Sequence, residues 1–338
     1  MKRIGWLLFA ALAALSLAAV ACGDDDDDDD DAATKPASPA ATQAVDPEQL
    51  KLKIALLPVV DILPMFVAER DGYFKEEGLT VDLVVFSSAI EREAAFTSGA
   101  VDAQLTDVLT PALNNKERIT AKMVRMAYVD QPDRPAFAVL ASKNSGFTKP
   151  SDLAGVDIGV AKNTVTEFET EVLLRAAGVP KDQIKTIGVP QLPTRVQLLL
   201  QGELKAATLP EPFVTLAKSQ GAVVIVDDRG KDLVADAITF RTDSLEKKPE
   251  GVRRFLKAYE RAVVAINADP AKYEELFIEK ARVPAELKGK FTVPKYPTAS
   301  VPPESRVKRA VEWWIERGDI SKPIAYRDLV DDSFLPKR

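Results

Sequence analysis

The chain has 338 residues, with 45 Lys and Arg against 51 Asp and Glu, a single Cys and no His. Without histidine, Ser-His-Asp and Cys-His catalytic arrangements and His-ligated metal centres are excluded, and one Cys excludes an intramolecular disulfide or a Cys-rich zinc site. Lys2, Arg3 and the eight carboxylates from Asp24 to Asp31 account for the whole formal net charge of −6. The rest of the chain is therefore neutral, and no nucleic-acid partner is expected.

The N-terminus has the order of an export signal. Lys2 and Arg3 precede an Ala-rich apolar stretch from Ile4 to Ala21, and Cys22 follows directly. This order predicts a signal peptide over residues 1–21. The stretch is also just long enough to cross a bilayer, but its weak hydropathy and the small residues at its end favour the signal peptide.

The segment Ala19-Val20-Ala21-Cys22-Gly23 resembles a bacterial lipobox, although Ala19 stands where Leu is usual. The resemblance implies a lipid on Cys22 and an extracytoplasmic protein anchored to the cell membrane. Residues 22–49, mostly Asp, Ala, Thr, Pro and Ser, predict a disordered tether because they have too little apolar surface to bury. A calcium site at the acidic run is the alternative, but a calcium loop needs glycine and backbone geometry that the run lacks.

From Lys51 onward, apolar runs alternate with helices of 3.6-residue period, which predicts an α/β fold with mostly parallel strands. Two units with the same element order are predicted. In the first unit the strands are Leu52–Leu57, Leu79–Phe86 and Val101–Leu105, with helices at Pro64–Glu77, from Ala89 and from Asp107. In the second unit the strands are Val156–Val160, Ile184–Val189 and Leu204–Leu209, with helices at Val165–Ala177, Pro193–Gln201 and from Pro212.

After Asp228 only one further strand is predicted, Ala235–Arg241, and the chain is then helical to its end. Two apolar stripes in this region are predicted to face the core and not a cofactor: Val252, Phe255, Leu256, Tyr259, Val263 and Ile266, and then Val307, Val311, Trp314 and Ile315. We expect this helical layer to return to the first lobe.

Ordered segments along the chain carry a resemblance to a known family: residues 66–79, Gly99–Ala103, Leu209–Phe213, Lys248–Phe255 and Tyr326–Pro336. Together they resemble the substrate-binding proteins of ABC importers, in the branch that binds sulfonates, nitrate and thiamine precursors. The resemblance implies a two-lobed, periplasmic-binding-protein-like (type II) fold with a C-terminal helical layer. Its lobes would be residues 50–130 and 131–230, with 231–338 returning to the first.

The resemblance also implies a mechanism and partners. A monomer would capture a small molecule between the lobes by hinge rotation and present it to a permease with its ATPase, without a cofactor. The two crossing segments are expected near Tyr128–Pro132 with Arg134, and near Asp227–Arg241.

Ligands of open α/β sheets bind beyond the carboxyl ends of the strands. This rule and the crossing segment select ten candidate ligand residues: Asp61, Ser87, Thr106, Asp107, Tyr128, Lys162, Asn163, Thr164, Gln191 and Glu211. Several have structural alternatives. Ser88 with Glu91, and Thr164 with Glu167, fit capping boxes, and Asp107 and Glu211 fit acids at helix starts.

Three carboxylates and one Lys in these loops suit a nitrogen heterocycle, such as a pyrimidine thiamine precursor or a flavin-like vitamin, better than an anion. An alkanesulfonate, taurine or nitrate is the alternative, because helix amides alone bind anions. Pyrimidine-precursor synthases share the fold but use a histidine of their own chain and a Cys-rich segment, and this sequence has neither. A non-enzymatic carrier is therefore expected, and an anchored ligand sensor is the third alternative.

Overall fold

The computed structural model describes residues 46–233, 235–282 and 287–337. The predicted signal peptide, Cys22 and the acidic run lie outside these residues. A capped 3-10 helix, Pro47–Leu50, comes first, so the predicted tether ends before Gln49. This helix packs so closely on residue 251 that only glycine fits there, because a Cβ would lie 1.9 Å from the backbone oxygen of Gln49.

Strands and helices alternate as predicted. The first part contains β1 (Lys51–Leu56), α1 (Leu63–Arg70), α2 (Tyr73–Glu76), β2 (Thr80–Val85), α3 (Ala89–Thr97), β3 (Ala103–Asp107), α4 (Leu109–Asn114) and β4 (Ala121–Val129). The second contains β5 (Phe137–Ala141), β6 (Asp157–Val160), α5 (Val165–Ala176), β7 (Lys185–Gly188), α6 (Leu192–Gln201), β8 (Ala206–Pro210), α7 (Phe213–Ser219) and β9 (Val223–Asp227). The last contains β10 (Ala235–Arg241), α8 (Thr242–Lys247), α9 (Pro249–Ala268), α10 (Glu274–Lys280), α11 (Glu304–Arg317) and α12 (Tyr326–Leu329).

The described strands form two five-stranded sheets of the same plan, with orders β2-β1-β3-β10-β4 and β7-β6-β8-β5-β9. In the first sheet β1 runs parallel to β2 and β3, while β10 is antiparallel to β3 and β4. In the second, β6 runs parallel to β7 and β8, while β5 is antiparallel to β8 and β9. The predicted two-lobed α/β class is confirmed. In each sheet the antiparallel strand, β10 or β5, directly follows a segment that crosses between the lobes.

Three local predictions were wrong. The helix predicted over Pro64–Glu77 is two helices, because Gly72 has a φ of 81°, the left-handed conformation that ends α1. Strand β3 lies two residues later than predicted, so Asp107 ends the strand. Strands β4, β5 and β9 were not assigned, and they lead into both crossings and out of the first.

The crossings follow β4 and β9, and two carboxylates, of Asp228 and Asp130, tie them together. Asp228, which is 1% exposed, accepts hydrogen bonds through Oδ1 from the backbone nitrogens of Ala136 at 2.9 Å and Phe137 at 3.1 Å. Asp130 in the first crossing accepts from the backbone nitrogen of Asp232 in the second at 3.1 Å. The hinge is therefore two backbone segments that side-chain carboxylates hold side by side.

The C-terminal helices form the expected layer on the first lobe. Phe255 of α9 stacks on Phe74 of α2, with ring centroids 5.3 Å apart. Helix α11 departs from the expectation because it contacts both lobes. Its Trp314 donates to the backbone oxygen of Leu109 in α4 at 2.9 Å, and Trp313 donates to Glu171 in α5 at 3.0 Å. Within the described ranges, none of the helices is long and apolar enough to span a membrane.

Neighbouring valines of α9 provide a test of this packing. Val263 is fully buried and Val264 is 63% exposed. We expect Val263→Ala to lower the free energy of unfolding by about 1–3 kcal/mol, through lost transfer energy and a residual cavity. Val264→Ala should change it by less than about 0.5 kcal/mol. Urea denaturation measures both, and equal effects would contradict the described orientation of α9.

Candidate ligand-binding cleft

A cleft lies between the sheets at the carboxyl ends of their parallel strands, where ligands of such sheets bind. Loops after β1, β2, β6, β7 and β8, the end of β3 and the strands of the first crossing line it. It encloses about 670 Å³ of space between atoms, part of it open solvent. Much of the wall is apolar, and Val60, Phe137, Val165, Leu192 and Pro210 contribute to it.

Seven of the ten candidate residues line this cleft: Asp61, Ser87, Thr106, Asp107, Tyr128, Thr164 and Glu211. Lys162, Asn163 and Gln191 do not belong to the lining. The strand-end rule thus selects loops that meet at one cleft, while the position of each side chain within a loop depends on tertiary contacts.

Lys162 has partners within the second lobe, and Asn163 connects this lobe to α11. Glu167 accepts from Lys162 Nζ at 2.9 Å and from the backbone nitrogen of Asn163 at 2.8 Å, and Lys162 also donates to Thr186. Asn163 Oδ1 in turn accepts from Arg317 of α11 at 2.9 Å. The ammonium group of Lys162 and the side-chain oxygen of Asn163 therefore both have protein partners away from the cleft lining.

The hydroxyls and acids at the helix starts have structural partners, as the capping alternatives predicted. Ser88 Oγ accepts from the backbone nitrogen of Glu91 at 3.2 Å, and Thr164 Oγ1 accepts from that of Thr166 at 3.3 Å. Asp107 Oδ1 accepts from the backbone nitrogen of Leu109 at 2.9 Å. These residues therefore shape the cleft while they stabilise helix ends.

Glu211 also has partners on its own lobe. Its carboxylate accepts from the backbone nitrogen of Thr215 at 3.1 Å and from the Thr215 hydroxyl at 2.9 Å. Burial raises the pKa of Glu211, and these hydrogen bonds oppose the rise.

The lobes touch across the cleft, so the structure is a closed one. The backbone nitrogen of Leu192 donates to the backbone oxygen of Ser87 at 3.2 Å, and the backbone nitrogen of Val60 donates to the backbone oxygen of Glu211 at 3.3 Å. Gln191 Nε2 donates to Glu91 at 2.7 Å. Gln191 thus belongs to the rim, where it holds the second lobe to the first.

Acidic side chains dominate the first-lobe wall. Asp61 lies in the 3-10 turn after β1 and is 3% exposed, and its Oδ1 has no hydrogen-bond partner among the described residues. Burial raises the pKa of Asp61 to about 7, although Arg92 lowers it. Burial and the nearby Asp61 and Asp107 raise the pKa of Asp236, which lies on β10, well above its usual value. The Tyr128 hydroxyl is likewise buried and unpaired in the described part of the chain.

Sequence reasoning missed three charged residues of the lining: Arg92, Arg195 and Asp236. Arg92 lies on α3 and Arg195 on α6, so both were outside the loops that were searched. A signal was present, because each arginine occurs four residues after the start of a corresponding helix, Ser88 or Gln191. Lys162, the one Lys of the selected loops, lies outside the lining, and Arg92 and Arg195 are the cations that line the cleft.

Two lobes of matching strand order, joined by two crossings and closed over a cleft, define the two-lobed type II periplasmic-binding-protein fold. The chain belongs to the NMT1/THI5-like family, whose sequence pattern matches residues 59–273.

Individual relatives agree with this assignment. The chain is 24% identical over 303 residues to the putative aliphatic sulfonates-binding protein of Bacillus subtilis, covering 86% of this chain and 89% of that one. It is 22% identical over 256 residues to the riboflavin-binding protein RibY of Chloroflexus aurantiacus, covering 73% and 71%. The alkanesulfonate-binding protein SsuA from Xanthomonas axonopodis pv. citri, solved with bound MOPS, superimposes with a TM-score of 0.69 at 16% identity over 83% and 98% of the two chains.

The buried Asp61 predicts a pH dependence of stability. Its folded-state pKa of about 7 exceeds the usual 3.8, so folding favours the protonated form. The stabilisation is complete below about pH 4 and is lost as the pH rises towards 7. Relative to Asp61→Asn, the wild type should therefore lose on the order of a few kcal/mol of unfolding free energy across this range.

Urea denaturation of ligand-free, refolded protein from pH 4 to 8 measures this difference. The exposed Asp157 at the start of β6 supplies the matched control, and Asp157→Asn should track the wild type. A pH-independent difference between wild type and Asp61→Asn would contradict the buried state of Asp61.

Proposed function

We propose that the protein is the extracytoplasmic ligand-binding component of an ABC importer. It captures a nitrogen heterocycle, such as a pyrimidine thiamine precursor or a flavin-like vitamin, between its lobes and presents the closed form to a permease with its ATPase. Support comes from the family, from relatives that are named as binding proteins, and from a closed cleft at the strand ends.

The observation that carries the ligand class is Asp61. Its unpaired Oδ1 lies in the cleft wall, and an unsatisfied buried acceptor is costly. A ligand N–H or NH₂ group would satisfy it, and the unpaired Tyr128 hydroxyl offers a donor to a ring nitrogen or carbonyl. The apolar walls of Val60, Phe137 and Leu192 suit a flat ring between them.

An alkanesulfonate, taurine or nitrate is the second candidate, because named relatives bind sulfonates and two arginines line the cleft. Against a simple anion, Asp61, Asp107 and Asp236 share the first-lobe wall, and any of them that is ionised repels an anion in a partly dry cleft. A simple alkanesulfonate also has no N–H group for Asp61.

Catalysis is the third candidate, since some relatives are named pyrimidine phosphate synthases. The fungal and plant synthases of this fold use a histidine of their own chain as a reactant, and this chain has none. We therefore propose a carrier, which works as a monomer and needs no cofactor.

Thermal shift at pH 8, where Asp61 is ionised, tests the ligand class. Aminopyrimidines or riboflavin should raise the melting temperature, and butanesulfonate and nitrate should not. Asp61→Asn should weaken heterocycle binding about 10- to 100-fold, the effect of losing a charge-assisted hydrogen bond. Asp157→Asn should bind as the wild type does. Stabilisation by sulfonates or nitrate with none by heterocycles would contradict the proposed ligand class.

The anchor has its own test. In a bacterial host, the wild type should fractionate with membranes, and Cys22→Ser should be released from them, because it has no thiol for lipid attachment. Ser38→Ala in the predicted tether is the control and should remain in the membrane fraction. Membrane retention of Cys22→Ser would contradict a lipid anchor at this position.

A further inference from the structure

Arginines occupy corresponding positions in the two lobes. The backbone nitrogen of Arg92 donates to the backbone oxygen of Ser88 at the start of α3. The backbone nitrogen of Arg195 donates to the backbone oxygen of Gln191 at the start of α6. Both side chains line the cleft, and they are 4% and 3% exposed. The duplicated plan thus places one buried guanidinium in each wall.

Arg92 has partners on its own lobe. Its Nη1 donates to the backbone oxygen of Leu105 at 2.8 Å and its Nη2 donates to Thr106 Oγ1 at 2.6 Å. Its charge also lowers the pKa of Asp61, Glu93 and Asp236, so these carboxyl groups surround it. Arg92 therefore has two hydrogen-bond partners and three neighbouring carboxyl groups within the first lobe.

Arg195 has fewer partners than Arg92. Its Nη1 donates to the backbone oxygen of Val189 at 3.1 Å, while its Nε, like that of Arg92, is buried without a hydrogen-bond partner in the described residues. Neither arginine forms an ion pair within the described residues, but carboxyl groups lie near Arg92 and none influences Arg195. Burial alone lowers the pKa of Arg195 to about 10, which indicates a cation removed from water without a counter-charge. Such a group is costly unless a partner arrives from outside the protein.

We infer that the ligand carries a singly charged oxyanion, a carboxylate or a sulfonate, that lies against Arg195, in addition to the N–H donor that meets Asp61. This inference rests on the proposed function and narrows its ligand class to dipolar molecules. A carboxylated aminopyrimidine and an aminoalkanesulfonate share this chemistry.

The placement couples binding to closure. Asp61 belongs to the first lobe and Arg195 to the second, so one molecule satisfies both only when it spans the cleft. A neutral heterocycle would satisfy the first wall and leave the guanidinium of the second unpaired. The oxyanion thus contributes to affinity chiefly in the closed state.

Matched probes that differ only in the anionic group test the inference. They are cytosine-5-carboxylate against cytosine, and taurine against 2-aminoethyl methyl sulfone. In calorimetric titrations of ligand-free protein at pH 8, at least one acid should bind about tenfold or more tightly than its partner that lacks the anionic group. Which pair shows the preference distinguishes carboxylate from sulfonate.

Arg195→Met should abolish the preference for the acid, and Arg195→Lys should retain part of it. Without ligand, Arg195→Met should melt no lower than the wild type, because it removes an unpaired buried charge at similar volume. Arg92→Met should melt several degrees lower, because it leaves buried partners unsatisfied.

The inference is overturned if, in each pair, the member without the anionic group binds as tightly as the acid, or if no acid binds. It is also overturned if Arg195→Met keeps the preference for the acid. It is also overturned if Arg195→Met lowers the melting temperature as much as Arg92→Met, since Arg195 would then be structural. Binding of neutral heterocycles in any of these cases leaves the proposed function standing.

Discussion

A charge that leaves water needs a partner, and closure of this cleft removes charges from water on both of its walls. On the first lobe, Arg92 lies among carboxyl groups whose burial holds part of them protonated. On the second lobe, Arg195 has a carbonyl partner only. The described chain therefore surrounds the guanidinium of one wall with carboxyl groups and leaves that of the other wall to be paired by what the protein binds.

The architecture was predictable because it follows from local rules. Alternating apolar strands and amphipathic helices predict two α/β units, and the strand-end rule predicts the loops of Asp61, Ser87 and Glu211 in one cleft. The capping roles of Ser88 and Thr164 were predictable for the same reason, since the cap and its partner lie within one helical turn.

What failed depends on contacts that are distant in sequence. Nothing near Lys162 or Asn163 indicates that Arg317, far along the chain, lies beside them. Arg92 and Arg195 were missed because charged residues on helices are usually solvated, and their burial depends on the opposing lobe. The unassigned strands β4, β5 and β9 flank the crossings, where pairing partners come from the other half of the chain.

Helix α11 gives the second lobe a second attachment to the first, beside the crossings, which its Arg306 also contacts through Asp130 and Asp232. Trp314 is bonded to α4, whereas Trp313 and Arg317 contact α5 and the loop before it. A rotation that parts the lobes must slide this helix against one of its two neighbours. The lifetime of the closed state is then governed partly by tryptophan and arginine contacts that lie outside the cleft lining. The residence time of a ligand and the selectivity for it can therefore evolve at separate places in the molecule.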